Sequence, residues 1–262
     1  MLQSQSVDRE ESPSRVVRLT TCQWSPELAS PAVDEIRVCS VPLEHPPLPI
    51  TELFGCLAAD ERDRAERYLV VKPRQQFIVT RGILRLLLGT ILGVAPEKVP
   101  IGYTGVGKPI VLGISDALHF NVTHTDGLAL IALASRVIGV DVEQIRPIAN
   151  LEGLVARFFS PAEQAAYLLL DPLKRLAGFF RGWTCKEALI KAAGLSVAYL
   201  DEFDVELNPD ESAKLLAARH PALAATEWGI AAWIPAEGYS AAVAIKGVRE
   251  VATELGEPRV VQ

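Results

Sequence analysis

The sequence predicts an α+β protein with two halves, each of which combines helices with a short antiparallel sheet. The composition is typical of a packed protein, since 49% of the 262 residues are hydrophobic and 22% are charged. Three segments carry the apolar spacing of helices, and several shorter segments alternate apolar and polar residues as strands do. Both patterns occur in each half of the chain, and this is the pattern of the α+β class.

The first half follows a polar N-terminal stretch, which we expect to form a loose tail over residues 1–30. In chain order, the sequence then predicts a strand at 35–43 that a Pro-rich segment ends, helices at 57–68 and 75–92, and a β-meander of 118–122, 128–134 and 137–142. Pro73 and Pro96 bracket the second helix.

The second half begins between Ile145 and Leu151, so we expect an N-terminal half over 31–147 and a C-terminal half over 148–262. Ser160 and Glu163 have the spacing of a capping box, which predicts the start of a helix. The remaining predicted elements are a longer helix over 172–193, ended by Gly194 in the left-handed conformation, and strands at 203–207, 228–234 and 239–245.

The composition excludes several functional classes. The net charge is −6, which disfavours a general nucleic-acid binder. No apolar run is long enough for a membrane span, and the N-terminus does not resemble a secretory signal, so we expect a cytoplasmic protein that does not contact membranes. The four cysteines and four histidines are scattered, without the spacing of a zinc site or a disulfide framework.

One stretch of the chain is basic although the protein as a whole is acidic. Residues 67–96 contain no Asp or Glu, and they carry five cations: Arg67, Lys72, Arg74, Arg81 and Arg85. This distribution indicates a local site for an anion, and the alternative is a solvated helix face.

Two carboxylates lie two residues apart in a predicted strand. Asp141 and Glu143 therefore project from the same face, where their charges repel unless a cation lies between them. A hard divalent cation such as Mg²⁺ would satisfy this geometry, since it prefers oxygen ligands and often also binds phosphate oxygens. The alternative is a strand end with two solvated acids.

The segment WTCKEALIK places Trp183, Glu187 and Lys191 at positions i, i+4 and i+8 of a predicted helix. On that stripe Glu187 could be a third metal ligand or a base, and Lys191 could neutralise a phosphate oxygen. The alternative is an ordinary Glu–Lys pair on a helix surface.

Two loops offer further polar groups for an anion. Thr123 and His124 end a predicted strand at a turn, where a hydroxyl and free backbone N–H groups would be available. Gly107 and Lys108 belong to a flexible loop that contains no acidic residue. This loop is not a phosphate-binding P-loop, because Pro109 follows the lysine.

The order of these motifs resembles that of the Sfp-type 4′-phosphopantetheinyl transferases over about residues 57–207. The motifs are DERDRAERY (60–68), GKP (107–109), FNVTH (120–124), GVDVE (139–143), RFFSPAE (157–163) and WTCKEALIKAAG (183–194). The resemblance implies a pseudo-dimer of two similar α+β halves, with coenzyme A and Mg²⁺ in the cleft between them. It also implies transfer of phosphopantetheine from coenzyme A to a serine of an apo acyl, peptidyl or aryl carrier domain, with release of adenosine 3′,5′-bisphosphate.

The resemblance also implies roles for individual residues. It implies that Asp141, Glu143 and Glu187 are Mg²⁺ ligands, that Glu187 also helps to deprotonate the serine, and that Lys191 lies near the bridging pyrophosphate. It implies coenzyme A contacts from Arg64, Gly107, Lys108, Thr123, His124 and Lys191. Asp141, Glu187 and Lys191 are thus the expected catalytic residues.

Two positions depart from the family pattern. Thr123 stands where relatives usually have Ser, which keeps the hydroxyl. Gln75 and Gln76 precede Phe77, where many relatives have an Arg immediately before the Phe, so the cation that meets the 3′-phosphate is not identified.

Two other functions are compatible with the same residues. One is a non-catalytic module that binds coenzyme A or a carrier, and the other is a Mg²⁺-dependent nucleotide phosphohydrolase. We expect an active transferase because every charged residue that the chemistry requires is present. We expect a monomer because the two halves already form the cleft. Which carrier it serves, in fatty acid, polyketide or nonribosomal peptide synthesis, is left open by the sequence.

Overall fold

The structure is a computed structural model that describes residues 16–25, 28–113 and 118–254. The strands are β1 (Val16–Gln23), β2 (Glu35–Pro42), β3 (Ile101–Tyr103), β4 (Pro109–Val111), β5 (His119–Thr125), β6 (Leu128–Ala134), β7 (Ile138–Gln144), β8 (Phe203–Val205), β9 (Leu215–Ala218), β10 (Trp228–Trp233), β11 (Tyr239–Lys246) and β12 (Glu250–Glu254). The helices are α1 (Ile50–Gly55), α2 (Ala59–Glu66), α3 (Val71–Leu92), α4 (Leu151–Phe158), α5 (Pro161–Leu169), α6 (Arg175–Ala193) and α7 (Pro221–Ala224). Short 3₁₀ helices lie at Pro96–Lys98, Pro172–Lys174 and Val197–Glu202.

Two larger sheets form the centre of the fold. A five-stranded sheet has the order β12-β1-β2-β6-β5, and a three-stranded antiparallel sheet has the order β10-β11-β7. In the larger sheet β1 pairs in parallel with both β2 and β12, whereas β6 pairs antiparallel with β2 and β5. The fold is therefore α+β with two halves, as the sequence predicts.

The sheets pack face to face, and a long helix covers the outer face of each. Residues 128, 130, 132 and 134 of β6 belong to the core between the sheets, whereas residues 129, 131 and 133 pack toward α3. This period of two explains why β6 is continuously apolar, since both of its faces are buried. On the other side, the second sheet packs against α6 in the same way.

Each long helix is fixed by an ion pair buried under it. In the first half Arg85 of α3 pairs with Glu61 of α2, and it also donates to two backbone carbonyls. In the second half Lys186 of α6 pairs with Glu163 of α5, at 2.6 Å from its Oε2. Removing one partner of such a pair leaves an uncompensated buried charge, so each pair fixes its helix relative to the neighbouring one.

Several predicted boundaries are confirmed. Ser160 caps α5 through the predicted capping box with Glu163. Gly194 ends α6 at a φ of 71°, in the left-handed conformation that favours glycine. Helix α3, however, begins at Val71, because Pro73 lies in the first turn, where a missing N–H costs no intrahelical hydrogen bond.

Two of the predictions are wrong. The expected loose tail over residues 1–30 contains β1, which the sequence did not predict, and residues 1–15 lie outside the described residues. The expected β-meander is correct for β5 and β6 but not for β7, which leaves the first sheet and pairs with β11. Sheet pairing of β7 favours a boundary between the halves before this strand, and the division at 147/148 stays a prediction.

In the part of the chain that the structure describes, no helix combines the length and the apolar character that a membrane span requires.

Candidate active site

The candidate site lies where β5, β7 and α6 meet. Thr123 of β5 donates its hydroxyl hydrogen to Asp141 Oδ1 of β7, at 3.0 Å. The ammonium of Lys191 on α6 lies 2.5 Å from the same oxygen and 3.4 Å from the Thr123 hydroxyl. Three of the residues singled out in the sequence are thus brought together from three elements and from both sheets.

A glycine allows β7 and α6 to approach this closely. A Cβ atom at Gly139 would lie 2.0 Å from the carbonyl oxygen of Ala188 and 2.6 Å from the backbone nitrogen of Ala192. Any side chain at this position would therefore push the strand away from the helix. The glycine of GVDVE is required so that Asp141 can reach Lys191.

The carboxyl group of Asp141 is only partly satisfied. Its side chain is buried, and its Oδ2 atom has no hydrogen-bond partner, whereas Oδ1 receives both Thr123 and Lys191. A buried, unpaired carboxylate oxygen is costly, and such an atom in a native structure needs a ligand or another explanation. It is available to bind a cation.

Glu143 and Glu187 lie in the electrostatic field of Asp141. Burial raises the pKa of Glu143, and the charge of Asp141 raises it further. Burial likewise raises the pKa of Glu187, to which the charges of Asp141 and Glu143 both add. The three carboxylates therefore form one negative region, and the positive charge of Lys191 lowers the pKa values of both Glu143 and Glu187.

The described residues include no group of three or more His, Cys, Asp and Glu side chains close enough together to hold a metal ion. The donor types nevertheless fit Mg²⁺, since they are all carboxylate oxygens and the buried Oδ2 of Asp141 has no partner. For all three to share one ion, their carboxyl groups would have to come closer together than they lie in this structure.

A groove of about 400 Å³ opens in the first half. It is lined by residues of α2, α3, β5 and the loop around β3 and β4: Arg64, Tyr68, Pro73, Gln76, Phe77, Thr80, Arg81, Leu84, Tyr103, Gly107, Pro109, Val122 and His124. Its lining combines aromatic and apolar surface with two arginines, as expected for a ligand that carries both a ring system and phosphate groups. Thr123 lies between Val122 and His124 on β5, and it faces the opposite side of the strand, toward Asp141. The charge of Lys191 lowers the pKa of His124, so the His124 end of the groove lies near the junction of Thr123, Asp141 and Lys191.

Arg64 is held at this groove by an aromatic contact. Its guanidinium lies 4.8 Å from the centre of the Phe77 ring. The family resemblance implies a coenzyme A contact for Arg64, and the structure places this residue among those that line the groove.

Arg81 lines the groove, and it is one of the five cations of the basic stretch, for which the sequence predicts an anion site without a role for any single residue. Its Nε lies 3.5 Å from Glu61, and its Nη2 donates to the Tyr103 hydroxyl at 3.2 Å. Its Nη1 is buried and has no partner, and the same is true of the hydroxyl of Thr80. What distinguishes Arg81 from the other four cations is its position four residues after Phe77, on the same face of α3.

The cations of this stretch have different surroundings. Arg85 is buried and paired with Glu61, whereas Arg67 and Arg74 are exposed. Lys72 pairs with Asp126 at 2.5 Å on the surface. Only Arg81, among these five, lines the groove.

Lys108 does not point an unpaired ammonium into the groove. Its Nζ donates to the backbone carbonyls of Ile138 and Lys191, at 2.8 Å and 3.0 Å. Burial lowers the pKa of Lys108 to about 8. Gly107 lines the groove and has a φ of 82°, which allows the tight turn before the lysine.

His124 lies at the rim of the groove. Desolvation of its ring and the positive charge of Lys191 lower its pKa, which favours the neutral form of the ring. A second, shallower depression of about 360 Å³ shares His124 with the groove and is bordered by Lys72 and Asp126.

Comparison with known proteins identifies the class of protein that this fold and site define. The model of the 4′-phosphopantetheinyl transferase superfamily matches residues 137–244, which include Asp141, Glu143, Glu187 and Lys191. The model described as 4′-phosphopantetheinyl transferase, N-terminal, matches residues 48–136, which include the groove.

Individual relatives agree with this class. The chain is 40% identical to the 4′-phosphopantetheinyl transferase HetI of Nostoc sp. over 218 residues, which are 82% of this chain and 89% of the relative. It is 27% identical to the 4′-phosphopantetheinyl transferase Sfp of Bacillus subtilis over 155 residues, which are 59% of this chain and 68% of the relative. The chain therefore belongs to the 4′-phosphopantetheinyl transferase superfamily.

Proposed function

We propose that this enzyme transfers the 4′-phosphopantetheine group of coenzyme A to a serine hydroxyl of an apo carrier protein and releases adenosine 3′,5′-bisphosphate. The observation that carries the proposal is the junction of Thr123, Asp141 and Lys191, with its unpaired Oδ2 atom, beside a groove that contains two arginines. The names of the relatives support the same reaction.

Coenzyme A fits the groove by charge and by shape. Its pyrophosphate and 3′-phosphate together carry about four negative charges. Arg64 and Arg81 offer guanidinium groups for a phosphate, and Phe77 and Tyr103 offer aromatic surface. This chain has Gln75 and Gln76 where many relatives have an Arg before the Phe. Arg81, whose Nη1 atom has no partner, is the cation that best replaces that Arg.

The pyrophosphate would then lie near the junction, where His124 and Lys191 can donate hydrogen bonds to its oxygens. Thr123 could donate to it only by releasing Asp141, to which it gives its one hydroxyl hydrogen. Gly107 leaves room for the ligand because it has no side chain. Lys108 is a weaker candidate for a phosphate contact, because its ammonium already donates to two carbonyls.

Asp141, Glu143 and Glu187 would hold Mg²⁺, with the free Oδ2 of Asp141 as the first ligand. When bound, Mg²⁺ supplies positive charge to the pyrophosphate oxygens. Glu187 takes the proton of the serine hydroxyl, directly or through water, as the serine oxygen forms its bond to phosphorus. Lys191 stabilises the charge on the leaving phosphate as the bond from phosphorus to the bridging oxygen breaks.

The test is a mass measurement on the acceptor. Incubating the enzyme with coenzyme A, Mg²⁺ and an apo carrier domain should increase the carrier mass by one phosphopantetheine group, on the serine. Chelation of the metal should prevent this increase, and added Mg²⁺ should restore it. A panel of carriers from fatty acid, polyketide and nonribosomal peptide systems would identify the partner.

Two outcomes would favour the other candidates. Coenzyme A binding without a mass increase on any carrier would support a non-catalytic module. Breakdown of coenzyme A in the absence of a carrier would support a phosphohydrolase. A cytoplasmic location and a monomeric state stay predictions.

A further inference from the structure

Lys108 joins the loop between β3 and β4 to both elements that carry the candidate catalytic groups. One of its carbonyl acceptors, at Ile138, is the first residue of β7, three residues before Asp141. The other acceptor belongs to Lys191 itself, in the last turn of α6. A single ammonium group therefore contacts the backbone on both sides of the Lys191–Asp141 pair.

The end of α6 needs such a donor. The last carbonyls of a helix have no partner within the helix, and a cation is favourable there because it also meets the negative end of the helix dipole. The N–H groups of Gly194 and Leu195 both donate to the carbonyl of Ile190. The neighbouring carbonyl of Lys191 receives the ammonium of Lys108 instead.

The loop is shaped to deliver this lysine. The backbone N–H of Lys108 donates to the Thr104 side chain at 3.2 Å, and its carbonyl accepts from the Thr104 N–H at 2.9 Å. The positive φ of Gly107 closes the turn. The backbone of Lys108 is thus fixed before its side chain crosses to α6.

We propose that Lys108 is a positioning residue, which holds the last turn of α6 against β7 so that Lys191 meets Asp141 and the reacting phosphate. The inference rests on the proposed transferase function. It differs from the role of phosphate contact that the family resemblance implies for this lysine.

Steady-state kinetics separate the two roles. Lys108→Met keeps the apolar stem and removes the ammonium. If Lys108 positions Lys191, kcat should fall about tenfold or more, as is typical when a supporting contact is lost, and KM for coenzyme A should change by less than about twofold. Arg64→Met is the matched control and should instead raise KM. A raised KM with unchanged kcat for Lys108→Met would overturn the proposal.

A double-mutant cycle tests whether Lys108 acts through Lys191. In a Lys191→Ala background, Lys108→Met should lower kcat little further, because the group that it positions is already absent. Multiplicative losses would overturn the proposal. Lys108→Gln, which keeps a hydrogen-bond donor, provides a second cycle if the Met variant does not fold, and failure of both variants to fold would also contradict the assigned role.

Transfer by the unsubstituted enzyme is measured first, so failure of the proposed function is visible there. Calorimetric titration with coenzyme A gives an independent readout: Lys108→Met should bind coenzyme A as the unsubstituted enzyme does, and a clear loss of binding would overturn the proposal.

Discussion

Lys186 and Lys191 lie on the same helix, five residues apart, and each pairs with a buried carboxylate, but their surroundings differ. Lys186 is fully buried and donates to both oxygens of Glu163 and to the carbonyl of Phe203. The partner Glu163 also accepts from the backbone N–H groups of Ser160 and Val205. Every oxygen of this pair is satisfied.

The Lys191 pair is incomplete by comparison. The side chain of Lys191 is 30% exposed, and one oxygen of its partner Asp141 is buried without a hydrogen bond. Both lysines belong to the segment WTCKEALIK, so the sequence motif alone does not separate them. The difference teaches that a satisfied pair fixes the fold, whereas a pair with an unpaired buried oxygen marks a place for a ligand.

The largest expected effect concerns the satisfied pair. Glu163→Gln should lower the free energy of unfolding by about 3–5 kcal/mol, because the buried ammonium of Lys186 loses its counter-charge. Denaturant unfolding measures this change. The double variant Glu163→Leu with Lys186→Met should recover much of the stability. A Glu163→Gln variant as stable as the unsubstituted protein would show that the Lys186–Glu163 pair does not stabilise the fold.

Loss of the Lys191–Asp141 pair should affect activity strongly and stability little. Asp141→Ala should reduce the transfer rate by about 10²–10³-fold, as the loss of a central electrostatic group does, and it should leave the unfolding free energy almost unchanged. The reason is that the substitution removes two opposing effects together: the contacts of Oδ1 with Thr123 and Lys191, and the cost of burying Oδ2 without a partner. Carrier mass spectrometry and denaturant unfolding check the two parts, and a near-normal transfer rate would contradict the assignment of Asp141 to the site.

Arg81 and Arg85 extend the comparison to α3. Arg81→Met should raise KM for coenzyme A about tenfold, since a hydrogen bond to a charged group is worth about 1.5–3 kcal/mol. The increase should vanish for the analogue of coenzyme A that lacks the 3′-phosphate. Equal increases for both substrates would mean that Arg81 does not recognise that phosphate. Arg85→Met is the control: it should reduce stability, because Glu61 would lose its buried partner.

The smallest effect is expected at an exposed pair. Lys72 and Asp126 are both more than half exposed, so Lys72→Ala should change the unfolding free energy by less than about 1 kcal/mol. Thermal unfolding at low and high salt measures the change. A loss of unfolding free energy as large as that of Glu163→Gln would show that the stability contributions of these two ion pairs do not depend on their burial.

Local sequence signals predicted the elements whose cause is local. The capping box at Ser160 and the glycine at 194 act within one turn of helix, and the alternation in β2 reflects burial of one face of the strand. The grouping of Asp141, Thr123 and Lys191 could be anticipated only from the order of several motifs, since their spacing along the chain does not determine a contact.

The remaining errors concern pairings between distant segments. Strand β7 follows β6 closely in sequence, yet it pairs with β11, and β1 pairs with β12 from the other end of the described chain. Likewise, no local pattern indicates that Lys108 bonds to the carbonyl of Lys191, 83 residues away. Such choices depend on which faces are buried in the complete fold.

The parallel pairing of β12 with β1 has a practical consequence for preparing the protein. Residues 16–20 of β1 are paired with residues 250–254, and on its other side β1 is paired with β2. A version shortened before Glu250 would leave one side of β1 with unpaired backbone groups, which are a template for pairing between molecules. Aggregation of such a truncated protein would therefore reflect a bared sheet edge rather than damage to the catalytic residues.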